Sequence, residues 1–301
     1  MTRPRVVIAE PLHPDPVVWL RERADVTDTL SDETLRDADA LIVRTYTRVD
    51  EAMLARAPRL RVVGRAGVGI DNIDRAACER RGIRVVCTPD ANTSAVVEYV
   101  LSAVVSRLRP IEPVRGAMGS AAWSAARAAA ITPRELSECV VGVWGLGRIG
   151  KAVARALAPL AREVIYRDVL DIPKDERCGA RSVSEQELLE ISDILTLHVD
   201  GRASNHALVG APELGRMRPD ALLINASRGM VVDAAALAEH MGRCEGFHAV
   251  LDVHAPEPIA PENPLLGLSN ATLTAHVGAA TAKAKLAMSW VVRPVWDALG
   301  S

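Results

Sequence analysis

The chain alternates short apolar runs with segments whose apolar residues recur at helical spacing. In its first ninety residues the apolar runs predict β-strands at Val6–Ile8, Ala40–Val43, Leu60–Val63 and Arg84–Cys87. The helical patterns between them predict helices near Pro16–Arg23, Glu51–Ala57 and Asp74–Arg81. Asp74 is suited to cap the last helix and Gly82 to end it. Such alternation is typical of a parallel sheet covered on both faces.

The pattern changes in the middle of the chain. A long apolar helix is predicted at about Ser94–Leu108. The following segment, about 109–137, contains prolines and glycines and then an Ala-rich stretch around Trp123. We expect this segment to be a surface excursion or an arm.

A second series of apolar runs follows the arm. It predicts strands at Cys139–Trp144, Glu163–Arg167, Ile194–Val199, Ala221–Asn225, His248–Asp252 and Thr272–Thr274. No strand follows the last helix, at about Ala279–Leu299, so we expect that helix to return to the first domain. The predicted fold is therefore α/β, with two doubly wound parallel-sheet domains of the Rossmann-like or flavodoxin-like type. Residues 1–93 and 280–301 would form a discontinuous domain into which residues 94–279 are inserted.

A dinucleotide-binding fingerprint opens the second series. The strand Cys139–Trp144 is followed by the G-x-G-x-x-G segment Gly145, Leu146, Gly147, Arg148, Ile149 and Gly150. A helix then begins, and its first N–H groups are suited to bind a pyrophosphate. Asp168 ends the next strand, where a carboxylate accepts a hydrogen bond from a ribose hydroxyl. Because this carboxylate would repel a 2′-phosphate, we expect NAD rather than NADP, although Arg167 beside it could soften that preference.

Polar residues gather where the later strands end, and ligands of doubly wound sheets bind beyond the carboxyl ends of strands. From these ends we expect contacts to the cofactor by His198, Val199, Ala226, Ser227, Asp252 and Gly278. Arg228, Glu257 and His276 also follow these strand ends, and we expect them to face the same cleft. Histidine suits proton transfer near neutral pH, and a carboxylate can orient its ring. An arginine guanidinium can bind a carboxylate in a bidentate way.

Composition excludes several other classes of function. The chain has 301 residues, 49% of them hydrophobic and 25% charged, and its net charge of −2 does not favour nucleic acid or an anionic membrane as partner. Its five cysteines are scattered and form no C-x-x-C pair, so we predict neither a metal site nor a disulfide framework. The N-terminus has no signal-peptide pattern, and we expect a cytoplasmic location.

Several spaced segments together resemble the D-isomer-specific 2-hydroxyacid dehydrogenase family over nearly the whole chain. They are residues 63–74 and 92–98, the fingerprint, residues 197–199, 217–219 and 225–229, Leu251 to Pro258, and residues 276–281. The resemblance implies that Arg228 binds the substrate carboxylate and that His276, paired with Glu257, is the general acid and base. It also implies that the backbone of Val68 and Gly69 holds the substrate carboxylate, and that the arm crosses the interface of a homodimer.

Within that family the chain is most similar to the phosphoglycerate dehydrogenase branch, through residues 43–49 and 64–67. Arg44 and its neighbour Thr45 would then meet a second anionic group of the substrate, such as a phosphate or phosphonate. The alternative is that Arg44 only pairs with a nearby acid. Tyr46, Asp200, Ala275 and Asp90 depart from the pattern of that branch, which leaves the substrate open.

Two other functions are compatible with the same fold. One is an NAD-sensing binding protein similar to the corepressors of this family, which would assemble with a partner in response to the cofactor. The other is a phosphite- or formate-type dehydrogenase. The presence of Arg228, Glu257 and His276 favours oxidation or reduction of a 2-hydroxy or 2-oxo acid.

Overall fold

The computed structural model describes residues 3–300, which divide into two compact units. The first contains the described residues up to Ala95 and those from Ala279 onward, and the second is Val96–Gly278. Each unit is built on one parallel β-sheet, so the α/β fold class predicted from the alternating pattern is confirmed.

The first unit begins with five strands and four short helices. The strands are β1 (Arg5–Ile8), β2 (Asp25–Thr27), β3 (Ala40–Val43), β4 (Val62–Arg65) and β5 (Arg84–Cys87). The helices between them are α1 (Pro14–Arg21), α2 (Asp32–Arg36), α3 (Glu51–Ala55) and α4 (Arg75–Arg80). The strand order β2-β1-β3-β4-β5 is that of a flavodoxin-like sheet, and the direction of winding reverses between β1 and β3.

The second unit carries the remaining strands. Its helices are α5 (Thr93–Leu108, whose first turn belongs to the first unit), α6 (Ser120–Ala129), α7 (Arg148–Leu157), α8 (Glu185–Ile191), α9 (Ala211–Leu214) and α10 (Ala234–Arg243). Its strands are β6 (Val140–Trp144), β7 (Glu163–Arg167), β8 (Arg181–Ser182), β9 (Ile194–Leu197), β10 (Leu222–Asn225), β11 (His248–Leu251) and β12 (Ala271–Leu273). The order β12-β11-β10-β9-β6-β7-β8 is that of a Rossmann sheet with one further parallel strand, and it reverses between β6 and β9.

The chain then returns to the first unit through α11 (Ala282–Ser289) and α12 (Val292–Gly300). Val291 and Val295 pack with Val6, Ile42 and Val62 on one face of the first sheet. The opposite face buries a second cluster that includes residues of α3 and α4. Strand residues alternate between these two faces, so a central strand such as β3, which is covered on both faces, is apolar throughout.

Local signals specified several element ends. The Asp74 carboxylate accepts a hydrogen bond from Ala77 N at 2.9 Å and caps α4, and Gly82 has the positive φ of 68° that follows a helix end. Asp233 caps α10 in the same way. The predicted single C-terminal helix is wrong, because two helices meet near Trp290. The edge strands β2 and β8 and the helices α2 and α8 were not predicted; the two strands have few buried apolar side chains.

Over the described part of the chain, no helix is both long enough and apolar enough to span a bilayer.

Candidate functional site

The glycine-rich segment forms a tight turn between β6 and α7. Gly145 has a φ of 94°, and a Cβ on it would lie 2.5 Å from the carbonyl oxygen of His198. A Cβ on Gly150 would lie 2.0 Å from the carbonyl oxygen of Gly145, so the helix packs directly on the turn. A Cβ on Gly147 would meet open space. The turn therefore has a closed side against the protein and an open side at the N-terminus of α7, as a bound pyrophosphate requires.

Asp168 is tied to this turn by backbone hydrogen bonds. One carboxylate oxygen accepts from Leu146 N at 2.6 Å and the other from Leu170 N at 2.9 Å. The Arg167 guanidinium donates to the carbonyl oxygen of Asp168. Asp168 is partly exposed, so its remaining lone pairs can accept hydrogen bonds from a ribose. Open backbone donors beside a partly exposed acid fit a dinucleotide.

Two further predicted cofactor residues follow β9. His198 N donates to the Trp144 carbonyl oxygen at 2.7 Å, and the His198 ring contacts Thr196 Oγ1 at 2.9 Å. Burial lowers the pKa of His198 to about 4, so the ring is neutral at physiological pH. Val199 Cγ1 lies 3.1 Å from the Cβ position of Gly145. These residues form the wall on which the glycine turn rests. Arg148 is exposed and Ile149 half-buried at the start of α7.

The turn that presents Arg228 is built by Asn225. Asn225 is 1% exposed; its side-chain oxygen accepts from Ser227 N and Ser227 Oγ, at 3.0 and 2.7 Å, and its amide donates to the Arg228 carbonyl oxygen. The Arg228 guanidinium donates to the Ser227 carbonyl oxygen at 2.7 Å. Ser227 is buried and Ala226 half-buried. Arg228 is thus held on a rigid turn at the carboxyl end of β10.

His276 and Glu257 form a hydrogen-bonded pair. His276 Nδ1 lies 2.8 Å from a carboxylate oxygen of Glu257, and their side chains are 37% and 23% exposed. Burial raises the pKa of Glu257, but the hydrogen bonds from the His276 ring and from His254 N outweigh burial and hold it below its ordinary value. Glu257 is therefore an ionised acceptor, and it orients the His276 ring with Nε2 available for a proton.

Asp252 is buried beneath His276, with 2% exposure. Its carboxylate accepts hydrogen bonds from Thr274 Oγ1, Val277 N and Gly278 N, each at 2.7 Å, and its carbonyl oxygen accepts from His276 N at 2.8 Å. His276 has a φ of 53°, which is rare for a residue with a side chain. The sequence predicted that Asp252 and Gly278 contact the cofactor, whereas this geometry gives Asp252 the separate role of holding the loop of His276.

His254 is engaged elsewhere. Its Nε2 donates to the Thr274 carbonyl oxygen at 2.8 Å, which leaves that nitrogen unavailable for proton transfer. Gly229 packs against it so closely that a Cβ would lie 2.0 Å from the His254 carbonyl carbon. His254 thus joins the Arg228 turn to the loop of His276.

In the first unit, the predicted substrate residues Arg44 and Thr45 lie in a loop after β3. The Arg44 guanidinium donates to the Pro11 carbonyl oxygen at 3.0 Å, and no ion pair within residues 3–300 includes it. The expected alternative, a pairing of its guanidinium with an acid, is therefore not what this structure contains. Glu10 instead accepts hydrogen bonds from the backbone of the loop.

Val68 and Gly69 lie in the loop after β4 and are half-buried. Within the described residues 3–300, neither Val68 N nor Gly69 N donates to a protein acceptor. Both amides are thus available to an anion.

Sequence reasoning missed the residues that support these loops. They are Glu10, Asn72, Asn225 and Thr274. Asn225 ends a predicted strand and Glu10 lies two residues after another, and these positions were a usable signal. It also missed Asn92 and Thr93, whose side-chain oxygens are buried without a hydrogen-bond partner in the described structure. Such atoms in a native fold call for an explanation, for example a bound ligand.

Comparisons with known proteins show the family of this chain. The family described as "D-isomer specific 2-hydroxyacid dehydrogenase, NAD binding domain" matches residues 101–278. The chain is 33% identical, over 96% of its length, to D-3-phosphoglycerate dehydrogenase of Archaeoglobus fulgidus, but it spans only 56% of that relative. It is 31% identical to glyoxylate reductase of Aeropyrum pernix, covering 96% of this chain and 90% of the relative.

A solved structure is also similar. It is the NADPH-dependent glyoxylate/hydroxypyruvate reductase of Sinorhizobium meliloti in complex with NADP and malonate, which is 29% identical with a TM-score of 0.81. The alignment covers 98% of this chain and 94% of that one. NADP therefore binds to a protein with this fold, whereas the family description names NAD.

Proposed function

We propose, from the premise that this chain belongs to the D-isomer specific 2-hydroxyacid dehydrogenase family, that it transfers a hydride between a nicotinamide cofactor and C2 of a small 2-hydroxy or 2-oxo acid. The observation that carries this proposal is the 2.8 Å pair of His276 and Glu257. A histidine oriented by an ionised carboxylate is the group that such a reaction needs for its proton.

The side chains divide the reaction between them. Arg228 binds the carboxylate of the acid, for which its fork of N–H donors is suited. His276 gives a proton to the C2 oxygen when a 2-oxo acid is reduced and takes it back in the reverse direction. Glu257 stabilises the positive charge of the protonated ring. The nicotinamide, when bound, supplies or accepts the hydride.

We infer that NAD is preferred to NADP. Gly145, Gly147 and Gly150 with the first N–H groups of α7 would hold the pyrophosphate, and Asp168 would accept from the ribose. Because both Asp168 oxygens also accept backbone hydrogen bonds, its carboxylate is fixed where a 2′-phosphate would be repelled. The measurement is the ratio of kcat/KM for NADH and NADPH, and a preference for NADPH would contradict the inference.

The substrate that we propose carries a second anionic group. Arg44 has no carboxylate partner in the described structure and stands beside Thr45, so the two can bind a phosphate or phosphonate. The curated relatives named D-3-phosphoglycerate dehydrogenase agree with this choice, although the chain spans about half of their length. The glyoxylate reductase relative makes an acid without that group the main competitor.

The test is a panel of 2-oxo acids with NADH oxidation followed by absorbance. The panel contains hydroxypyruvate phosphate, a phosphonate analogue, hydroxypyruvate, glyoxylate and pyruvate. We expect turnover by the wild type and a loss of about 10²–10⁴-fold in kcat for His276→Gln, with NADH affinity retained. His206→Gln, at an exposed histidine of the same unit, is the matched control. A wild type that binds NADH tightly and reduces none of these acids would refute the proposal.

We also propose that the chain forms a homodimer through its arm. Residues 109–131 are all exposed, including Ile111, Trp123 and Ile131 at 91%, 51% and 80%. The helix α6 has ten residues, and an isolated helix of that length is only marginally stable in water, so it needs a partner surface.

Light scattering tests the dimer. We expect twice the mass of one chain for the wild type and a single mass for Trp123→Asp combined with Ile131→Asp. Leu160→Asp, at a leucine that is 50% exposed, controls for the added charge. A monomeric wild type would contradict this proposal.

A further inference from the structure

We propose that Glu10 is a positioning residue that holds the loop of residues 44–47 in the shape needed to bind the far end of the substrate. This inference rests on the proposed function, since it gives Arg44 and Thr45 their task. Glu10 itself would touch no substrate atom. Its carboxylate would act through the backbone of the loop.

The carboxylate of Glu10 accepts four consecutive backbone N–H groups. One oxygen accepts from Arg44 N at 2.9 Å and Thr47 N at 3.0 Å, and the other from Thr45 N at 3.1 Å and Tyr46 N at 3.2 Å. Four successive amides that converge on one carboxylate specify most of the φ and ψ angles of the loop. The loop is therefore built around an internal anion, in the manner of a backbone anion nest.

A second side chain fixes the same loop through its carbonyl groups. Asn72 Nδ2 donates to the carbonyl oxygens of Arg44 at 3.1 Å and Thr47 at 2.7 Å, the first and last residues of the loop. The Arg44 guanidinium donates to the Pro11 carbonyl oxygen, directly after Glu10. Backbone donors, backbone acceptors and the guanidinium are thus all oriented by residues outside the loop.

Glu10 lies at an edge of the first sheet where ligands commonly bind in this kind of fold. Glu10 follows β1 and the loop follows β3, and the order of the first sheet reverses between these two neighbouring strands. Ligands of open parallel sheets bind at such a reversal, beyond the carboxyl ends of the strands. The carboxylate of Glu10 is ionised here, and the four N–H dipoles that converge on it offset part of its repulsion of a bound anion.

The charge of Glu10 is stable at neutral pH. Burial raises the pKa of its carboxyl group, but the hydrogen bonds from Thr47, Arg44 and Tyr46 outweigh burial and keep it below its ordinary value. Because the carboxylate uses all four amides, the loop can meet a ligand only through side chains. The loop of Val68 and Gly69 differs, since its amides are available. Recognition of the far end thus depends on how Glu10 aims Arg44 and Thr45.

Glu10→Gln tests the inference with little change of shape. An amide offers one oxygen to two of the four N–H groups and turns its own NH₂ toward the other two. We expect the KM for hydroxypyruvate phosphate to rise about tenfold or more, because two charge-assisted hydrogen bonds are lost from the loop. The KM for glyoxylate, which has no far group, and the Kd for NADH stay within about twofold of wild type. Glu33→Gln, at an exposed acid of α2, is the matched control.

A double-mutant cycle separates positioning from general stability. In a background with both Arg44→Ala and Thr45→Ala, Glu10→Gln should add less than about twofold to the KM for hydroxypyruvate phosphate, since the side chains that it aims are gone. Equal increases for glyoxylate and hydroxypyruvate phosphate, or an additive cycle, would overturn the inference. Asn72→Ala leaves the Glu10 carboxylate intact and should also raise the KM for hydroxypyruvate phosphate. This variant replaces Glu10→Gln in the test if Glu10→Gln does not fold.

Hydrogen exchange gives a readout that needs no activity. The amides of residues 44–47 should be protected in the wild type and exchange at least about tenfold faster in Glu10→Gln. Unprotected wild-type amides would overturn the inference even if the enzyme is active. A wild type with protected amides and no turnover of any 2-oxo acid would instead refute the proposed function.

Discussion

Replacement of Asp252 by asparagine should impair both the stability and the catalysis of this protein. The carboxylate of Asp252 is 2% exposed and accepts three hydrogen bonds of 2.7 Å from residues 274–278. The asparagine oxygen can keep the two donors that share one carboxylate oxygen, Thr274 Oγ1 and Val277 N. Its NH₂ group then faces Gly278 N, so two donors oppose each other in a buried place.

The magnitude follows from that geometry. Loss of one hydrogen bond to a charged group removes about 1.5–3 kcal/mol, and a buried N–H without an acceptor costs about 1–3 kcal/mol. Because the two effects overlap, we expect the free energy of unfolding to fall by about 3 kcal/mol. His276 sits on this loop with a φ of 53°, a conformation that costs roughly 1–2 kcal/mol outside glycine. Relaxation of the loop would displace His276, and kcat should fall about a hundredfold.

Urea unfolding and steady-state kinetics with NADH measure both effects. Asp175→Asn, at an exposed aspartate of the same unit, is the matched control. A loss of less than about 0.5 kcal/mol together with kcat within twofold of wild type would refute the reasoning. A selective loss of NADH affinity with normal kcat would mean that Asp252 contacts the cofactor, as expected from sequence.

Three further predictions concern charge and pH. Because the pKa of Glu257 is lowered, its pair with His276 stabilises the fold at pH values above the ordinary carboxyl range, and this stabilisation is lost as pH falls. The unfolding free energy of wild type should therefore approach that of Glu257→Gln in acid. Parallel curves of unfolding free energy against pH for the two proteins would contradict this. Arg228→Lys should lower kcat/KM about tenfold to a hundredfold and leave the Kd for NADH unchanged, because lysine cannot bind a carboxylate in a bidentate way; an equal loss of NADH affinity would give Arg228 another role. The His198 ring should titrate near pH 4 when followed by NMR. Because the same ring in the unfolded chain binds its proton at a higher pH, the free energy of unfolding should decline as pH falls from about 6.5 towards 4. Titration near pH 6.5 in the folded protein would show that the ring is accessible to solvent.

Much of the fold could be predicted because its signals are local. The apolar runs of β3 and β6 are fully buried strands, and Asp74 and Asp233 cap the helices that follow them. The sequence pattern did not predict strands whose side chains are only partly buried. Strand β2, Asp25–Thr27, is half-exposed at a sheet edge, so its composition did not distinguish it from a loop.

The candidate site divides in the same way between local and distant effects. The glycines at 145, 147 and 150 predict their turn by spacing, and the close contact of Gly150 with the Gly145 carbonyl oxygen is a local one. The role of Asp252 could not be read in this way, because it depends on three donors that lie more than twenty residues further on. The sequence predicted that Asp252 contacts the cofactor. In the structure Asp252 is buried, and its carboxylate accepts hydrogen bonds from the loop of His276.

The sequence by itself determined the elements, the glycine turn and the kinds of side chain at the strand ends, because periodicity, capping and turn formation act between near neighbours. Only the tertiary structure decided which strand ends are adjacent and hence which groups meet. Glu257 reaches His276 across nineteen positions, and Glu10 reaches the Arg44 loop across thirty-four. Hydrogen bonds depend on distance and angle within a few tenths of an ångström, and strand order supplies that geometry.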